Sequence, residues 1–174
     1  IIGRSPKSFN SQIGVPLSIW QIEPYHNLGL IEAGISQPGE MQKLQEVIRP
    51  NIGLFTNIGS AHGEKFKNTA EKVREKLRLF HDAETLIYCN DQSALAEVIQ
   101  EDLPTNVKHF TWGWKGRDIL IRELHAEDLQ TCITLEFKQD VFTIRIPFRD
   151  EASIENALHT CAVMLWLGIA PDRV

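Results

Sequence analysis

Ile52-Gly53-Leu54-Phe55-Thr56-Asn57-Ile58 is an apolar run of strand length that ends in Gly59 and Ser60. Immediately before it, Pro50 stops a stretch from Gly39 to Ile48 in which Met41, Leu44, Val47 and Ile48 fall on one helical face. A second buried-strand run, Asn27-Leu28-Gly29-Leu30-Ile31-Glu32-Ala33, lies upstream of that helix and also ends in small residues. Strand, helix, strand in this order is the unit from which a parallel sheet with helices on its faces is built.

Working outward, the alternation continues. A helix is expected from Thr69 to about Phe80, with Val73, Leu77 and Phe80 facing inward and Asn68 with Glu71 as a capping box. Thr85 to Cys89 reads as a strand, Asn90-Asp91 as a turn, Ser93 to Asp102 as a helix and Val107 to Trp112 as a further strand. From residue 118 to 148 the pattern changes to period two, through Ile119, Ile121, Cys132, Thr134, Glu136 and the run Val141 to Ile146, with a turn at Gln139-Asp140. That predicts an antiparallel meander of three strands. A closing helix from Ser153 to Leu167 carries Ile154, Leu158, Ala162 and Leu165 on one face and stops at Gly168, with Pro171 beyond. The fold class is therefore α/β: a mostly parallel sheet flanked by helices, then a small antiparallel β meander and a closing helix. No repeat, low-complexity segment or interior linker interrupts it, so one domain is expected over the 174 residues.

Composition excludes several classes. The formal net charge of −5 offers no basic surplus for nucleic acid. No apolar run approaches the ~20 residues that span a bilayer, and no signal-peptide pattern opens the chain. The default compartment is a reducing cytoplasm. Cys89, Cys132 and Cys161 are odd in number and far apart, so neither a disulfide framework nor a structural zinc site is indicated.

In open α/β sheets ligands bind at the carboxyl ends of strands. Glu32 ends one apolar run, and Asn57 with His62 ends another. If both strands share one parallel sheet, the three residues converge on one edge, where a carboxylate and an imidazole can hold a divalent cation. The residues alone better suit an ordinary loop carboxylate and an exposed or structurally satisfied histidine.

Several ordered segments carry a resemblance that shifts this balance. Phe9-Asn10-Ser11-Gln12-Ile13-Gly14-Val15-Pro16 resembles a loop of the Mur ligases that attach D-alanyl-D-alanine. Glu32-Ala33-Gly34-Ile35-Ser36-Gln37-Pro38-Gly39-Glu40 is similar to their E-x-G-x-x-x-x-G-E segment, and Pro50 through His62 to their TNIGxAH run. Glu75-Lys76-Leu77 falls where that family carries a functional lysine, and Ile154-Glu155-Asn156-Ala157-Leu158 resembles the helix that closes its central domain. The resemblance implies an ATP-dependent ligase that activates a carboxylate as an acyl phosphate. Glu32, His62 and Lys76 would hold Mg²⁺, with Lys76 carbamylated and His62 and Lys76 catalytic. Asn156 would lie by the adenine of ATP, while Asn10, Gln12 and Asn57 would serve the substrate side. UDP-N-acetylmuramoyl-tripeptide and D-Ala-D-Ala would be the substrates, and fusion to an alanine racemase is a known arrangement among bacterial members.

Two departures qualify the match. No Gly-x-x-x-x-Gly-Lys-Ser/Thr phosphate loop occurs, because the family's loop lies upstream of the Asn10 segment. Ala152-Ser153 stands where a His-Asn pair is common, which weakens the Asn156 assignment. Residues 1–174 are thus expected to be part of a central domain without its first strand, phosphate loop, UDP-binding domain or C-terminal domain. Such a piece would be inactive alone and would expose sheet edges open to self-association. A sister ligase, including one that adds glutamate to a folate, and a non-catalytic α/β binding module are the competing readings.

The remaining reactive side chains are less informative. Trp112 and Trp114, flanking Gly113, suit either a nucleobase platform or a lid on the core edge, with the lid preferred. Trp20 and Trp166 are expected to be helix core residues. Ser5 and Ser36 lack a His/Asp arrangement, and Cys89 lacks an activating basic neighbour.

Overall fold

A computed structural model describes residues 1–58 and 65–174. The chain divides into two compact units, the first of residues 1–51, 58–83 and 98–104, the second of residues 52–57, 84–97 and 105–174.

The first unit opens on β1 (Ile2–Arg4), which pairs in parallel with β2 (Leu28–Leu30) through Ile2↔Leu28, Gly3↔Gly29 and Arg4↔Leu30. Between them lies α1 (Gly14–Trp20), a two-turn helix that buries Gly14, Val15 and Ser18. Trp20, expected in a core, is 83% exposed. It lies two residues beyond Ser18, about 200° round the helix from the buried face. Two further helices, α2 (Glu40–Ile48) and α3 (Thr69–Leu77), contribute Met41, Leu44, Val73 and Leu77 to this unit's core. The predicted helix of residues 69–80 is thus α3 followed by a 3-10 turn, Arg78–Phe80. Its cap is close to the expected box: the Asn68 side chain accepts from Glu71 N at 2.8 Å, while Glu71 reaches back to Lys67 N rather than to Asn68 N.

The second unit is built on one six-stranded sheet in the order β3-β4-β5-β6-β7-β8. Its strands are β3 (Ile52–Phe55), β4 (Thr85–Cys89), β5 (Lys108–Gly113), β6 (Ile119–Glu127), β7 (Gln130–Phe137) and β8 (Asp140–Ile146). The pairs from β3 to β6 are parallel and the last two antiparallel, so the meander extends the parallel sheet rather than standing apart from it. β4 is buried along its whole length, as an apolar central strand between parallel neighbours should be. Helix α5 (Glu151–Trp166) presents Leu158, Cys161, Ala162 and Leu165, spaced i, i+3, i+4, i+7, to the core that contains Ile87, Ile119, Ile133 and Leu135. Asp150 caps it by accepting from Ser153 N at 2.9 Å, and Gly168 at φ 83° ends it. α4 (Ser93–Asp102) follows β4 in the chain.

One expectation fails here. β2 and β3 do not share a sheet: β2 pairs with β1, and β3 is an edge strand of the six-stranded sheet. Apolar runs of similar composition specify strands, but not which strand each will pair with.

Candidate functional site

In the first unit, two sequence segments far apart in the chain are joined by polar bonds. Asn10 Nδ2 donates to Glu32 Oε1 at 2.7 Å, and Gly34 N donates to Asn10 O at 2.7 Å. A side chain at Gly34 would meet the Asn10 amide at 3.0 Å, so the small residue permits this approach. Glu32 itself is exposed, with its backbone N–H bonded to the Ser5 hydroxyl at 3.2 Å where β1 ends. Further along, Glu40 gathers the turn that starts α2, accepting from Ser36 N at 2.6 Å, Gln37 N at 3.0 Å and the Ser36 hydroxyl. Burial works to raise the Glu40 pKa, but these bonds and one from Gln12 outweigh it and hold the carboxyl below its ordinary value. Asn10 and Gln12 are therefore both tied to the Glu32–Glu40 segment.

Lys76, on α3, is half-buried. Burial lowers its pKa, and the neighbouring charge of Lys72, one helical turn away, lowers it further. Its neighbour Glu75 is buried and spans to α2, where its Oε1 accepts from Gly39 N at 2.7 Å and from Met41 N at 3.3 Å. A carboxylate from one helix thus caps the N-terminus of another, a use of Glu75 that nothing in its local sequence signals. His62 lies outside the described residues.

The second unit has its own polar cluster. Asn57, just beyond β3, donates to Glu155 Oε2 at 3.0 Å, and Gln92 Nε2 donates to Glu155 Oε1 at 3.4 Å. On the next turn of α5 the buried His159 accepts from Trp112 Nε1 at 3.1 Å through Nδ1. Its proton is then on Nε2, which is 3.9 Å from Glu155 Oε1 and is the one buried polar side-chain atom without a hydrogen bond among the described residues. Burial depresses the His159 pKa to about 4. Asn156, the residue expected near adenine, is exposed beside this cluster. Glu155 and His159 were missed in the sequence because neither stands out until the strand ends and α5 are assembled.

Trp112 is buried and bonded to His159, in keeping with a cover on the core, whereas Trp114, read the same way, is 52% exposed. The turn after β5 is fixed by Asp91, whose carboxylate accepts from Trp114 N and Lys115 N, each at 2.8 Å. Gly113, at φ 137°, is required there, since a Cβ would lie 2.5 Å from Asp91 Oδ2. Cys89 is inert: burial chiefly pushes its thiol up to about 11.

Residues 1–164 match the family model of the Mur ligase middle domain. The chain belongs to that family. Among curated relatives it is 24% identical over 163 residues to the UDP-N-acetylmuramoyl-tripeptide--D-alanyl-D-alanine ligase of Haemophilus influenzae, covering 92% of this chain and 35% of that protein. The enzyme of the same name from Bacillus subtilis is 24% identical over 168 residues, 95% of this chain and 35% of the relative. The Mur ligase middle domain chain thus spans a little over a third of the length of the curated relatives it matches. Its fold is similar to a crystal structure of MurF from Acinetobacter baumannii, with TM-score 0.87, 21% identity and coverage of 99% of this chain and 38% of that one. MurF from Thermotoga maritima in complex with ADP gives TM-score 0.83 at 20% identity, over 99% and 40%. An FPGS structure from L. casei is less similar, at TM-score 0.63 over 83% of this chain and 36% of that one, with 14% identity. The α/β sheet with flanking helices and antiparallel extension is the expected fold class.

Proposed function

We propose that this Mur ligase middle domain is the nucleotide-handling part of an ATP-dependent cytoplasmic ligase that joins D-Ala-D-Ala to UDP-N-acetylmuramoyl-tripeptide. The observation that carries the reading is the 2.7 Å bond from Asn10 to Glu32, which unites the two motif segments most characteristic of the D-Ala-D-Ala ligases. A carboxylate fixed at a strand end by an amide donor is pre-aimed before any ligand arrives.

In the reaction the tripeptide carboxylate takes the γ-phosphoryl group, so a carboxyl O–P bond forms as the bond to ADP breaks. The D-Ala-D-Ala amine then attacks the acyl carbon; the amide C–N bond forms, phosphate leaves, and the amine gives up a proton. Mg²⁺ bound at Glu32, His62 and Lys76 would supply charge neutralisation for the phosphate oxygens. The donor chemistry fits. Glu32 offers hard carboxylate oxygens, and a carbamate on Lys76 would add more. Carbon dioxide adds to the neutral amine with loss of a proton, and the surroundings of Lys76 favour that neutral form. For the nucleotide, the Glu155–Gln92 pair offers polar groups beside Asn156, and Asn57, bonded to Glu155, would serve the substrate. Asn10 and Gln12 would orient the muramoyl substrate next to Glu32.

The test is ATP-dependent ligation by the longer protein that carries this chain. Glu32→Gln, which keeps an acceptor for Asn10 and removes the charge, is expected to lower kcat by about 100-fold or more. A variant as fast as the parent sinks the metal role. Offering glutamate with a folate acceptor in place of D-Ala-D-Ala separates the sister-ligase reading. The 174-residue chain by itself is expected to give no ligation.

A further inference from the structure

We propose that the β6–β7 hairpin is a binding site for a zinc-class divalent transition-metal ion, held by His125 Nε2, a Glu127 carboxylate oxygen and Cys132 Sγ. The site lies wholly within the second unit and shares no residue with the ligase site.

A register shift creates it. Ile119 and Ile121 point into the core of the second unit, and Ile121 pairs with Leu135. Between Ile121 and Glu123 the register slips, so that Glu123 pairs with Thr134. The bulge reverses the alternation of β6, sending Glu123, His125 and Glu127 to the sheet face opposite the core. His125 then stands directly across from Cys132. The tight turn at Asp128-Leu129 (Asp128 φ 39°) sets this register by pairing Glu127 with Gln130.

The three donor atoms lie within 4.8 Å of one another. Metal–ligand bonds of ~2.0–2.3 Å in a tetrahedral site place donors roughly 3.3–3.8 Å apart, so small side-chain rotations close the set. The imidazole is arranged for this role. Glu127 Oε1 is 3.0 Å from Nε2, and Glu123 Oε1 is 3.4 Å from Nδ1. A neutral imidazole has one proton and so can donate to only one of two carboxylates. With the proton on Nδ1 facing Glu123, the Nε2 lone pair is turned toward Glu127 and Cys132, the carboxylate–histidine–metal arrangement.

Charge and softness point the same way. Glu123, Glu127 and a Cys132 thiolate contribute −3 and the cross-strand neighbour Arg145 contributes +1, leaving −2 for a cation to neutralise. Glu127 now accepts a hydrogen bond from the Cys132 thiol, which lowers the Glu127 pKa and raises that of the cysteine. Metal binding would replace this bond, with the thiol proton released to solvent as the Sγ–metal bond forms. A thiolate and an imidazole select zinc, cobalt or copper over magnesium, which distinguishes the site from the Mg²⁺ chemistry of the proposed ligase. His125 and Glu127 are each about half exposed, leaving a path for the ion and room for water in the remaining position.

Titration with Co²⁺ reads the proposal directly, because a thiolate-to-cobalt charge-transfer band appears only when sulfur is a ligand. One equivalent is expected to give the band in the 174-residue chain, and Zn²⁺ to displace it. Cys89 and Cys161 do not compete: among the described residues neither belongs to a group of three donors that could hold an ion. Cys132→Ser should abolish the band. Because Cys132 is buried, His125→Gln on the exposed side provides a second readout and should weaken binding by at least about tenfold, with Glu123→Gln weakening it by about tenfold. Absence of the band in the parent chain overturns the site, as does a band that survives Cys132→Ser or is unchanged in His125→Gln.

Discussion

The two units hold their polar residues in opposite ways. In the first, the partly exposed Asn10 and the exposed Glu32 follow strands of three residues, and positions rest on side-chain bonds such as Asn10 to Glu32 and Glu75 to the start of α2. In the second, polar groups such as His159 and Trp112 Nε1 are built into a deep apolar core between a six-stranded sheet and α5. A region whose chemistry is easily read in sequence can have little regular structure, while a regular scaffold can hide its polar centre. Motif residues need a fixed spacing along a loop; buried polar residues need only the right neighbours in space.

That contrast can be tested, and the largest effect is expected in the second unit at acid pH. The folded-state pKa of His159, about 4, lies below the ordinary 6.5, so above pH 6.5 neither state carries the proton. As pH falls toward 4 the unfolded chain takes up a proton that the folded chain refuses. Stability should therefore drop by about 3 kcal/mol from this residue over that window. His159→Gln retains an acceptor for Trp112 and does not titrate. Denaturant melts at pH 7 and pH 4 should show a smaller acid loss in the variant, and an equal loss would place the acid sensitivity elsewhere.

The next effect concerns the first unit. Glu75→Ala leaves the Gly39 and Met41 amides without their carboxylate acceptor, and should cost roughly 2 kcal/mol in denaturant melts. No change would mean that water satisfies those amides and that the α2–α3 tie is incidental. The smallest effect is predicted at Trp20. Because its side chain is exposed at the end of α1, Trp20→Ser should shift stability by less than about 0.5 kcal/mol. A loss of several kcal/mol in chemical unfolding would show that the indole has a buried partner.

Much of the scaffold was legible from periodicity. The strands at Thr85–Cys89 and near Val107–Trp112 and the three meander strands occur where alternation and apolar runs placed them, within a residue or so. The turn before β8 is shifted by one, to Lys138-Gln139, both at positive φ. Helix ends were legible where capping chemistry was local, as at Asn68 and Gly168. Trp20 was misplaced because a seven-residue helix has only one buried face and the indole ends it on the other. The candidate site was legible as motif residues, Asn10, Gln12, Glu32 and Lys76, but Glu155, His159 and Glu75 acquired their roles only from partners tens of residues away. The cluster of His125, Glu127 and Cys132 has no recognised ligand spacing, since its third donor comes from the next strand.

What the sequence determined by itself is the succession of strands and helices, their inward faces and the family motifs, all of which are encoded by spacing along the chain. Only the tertiary structure decided that β2 joins β1 while β3 joins β4, that Glu155 meets Asn57, and that a slip in β6 turns its polar residues toward Cys132. The physical reason is that local periodicity fixes which side of an element is apolar, whereas pairing and register are settled by competition among distant partners with similar apolar faces.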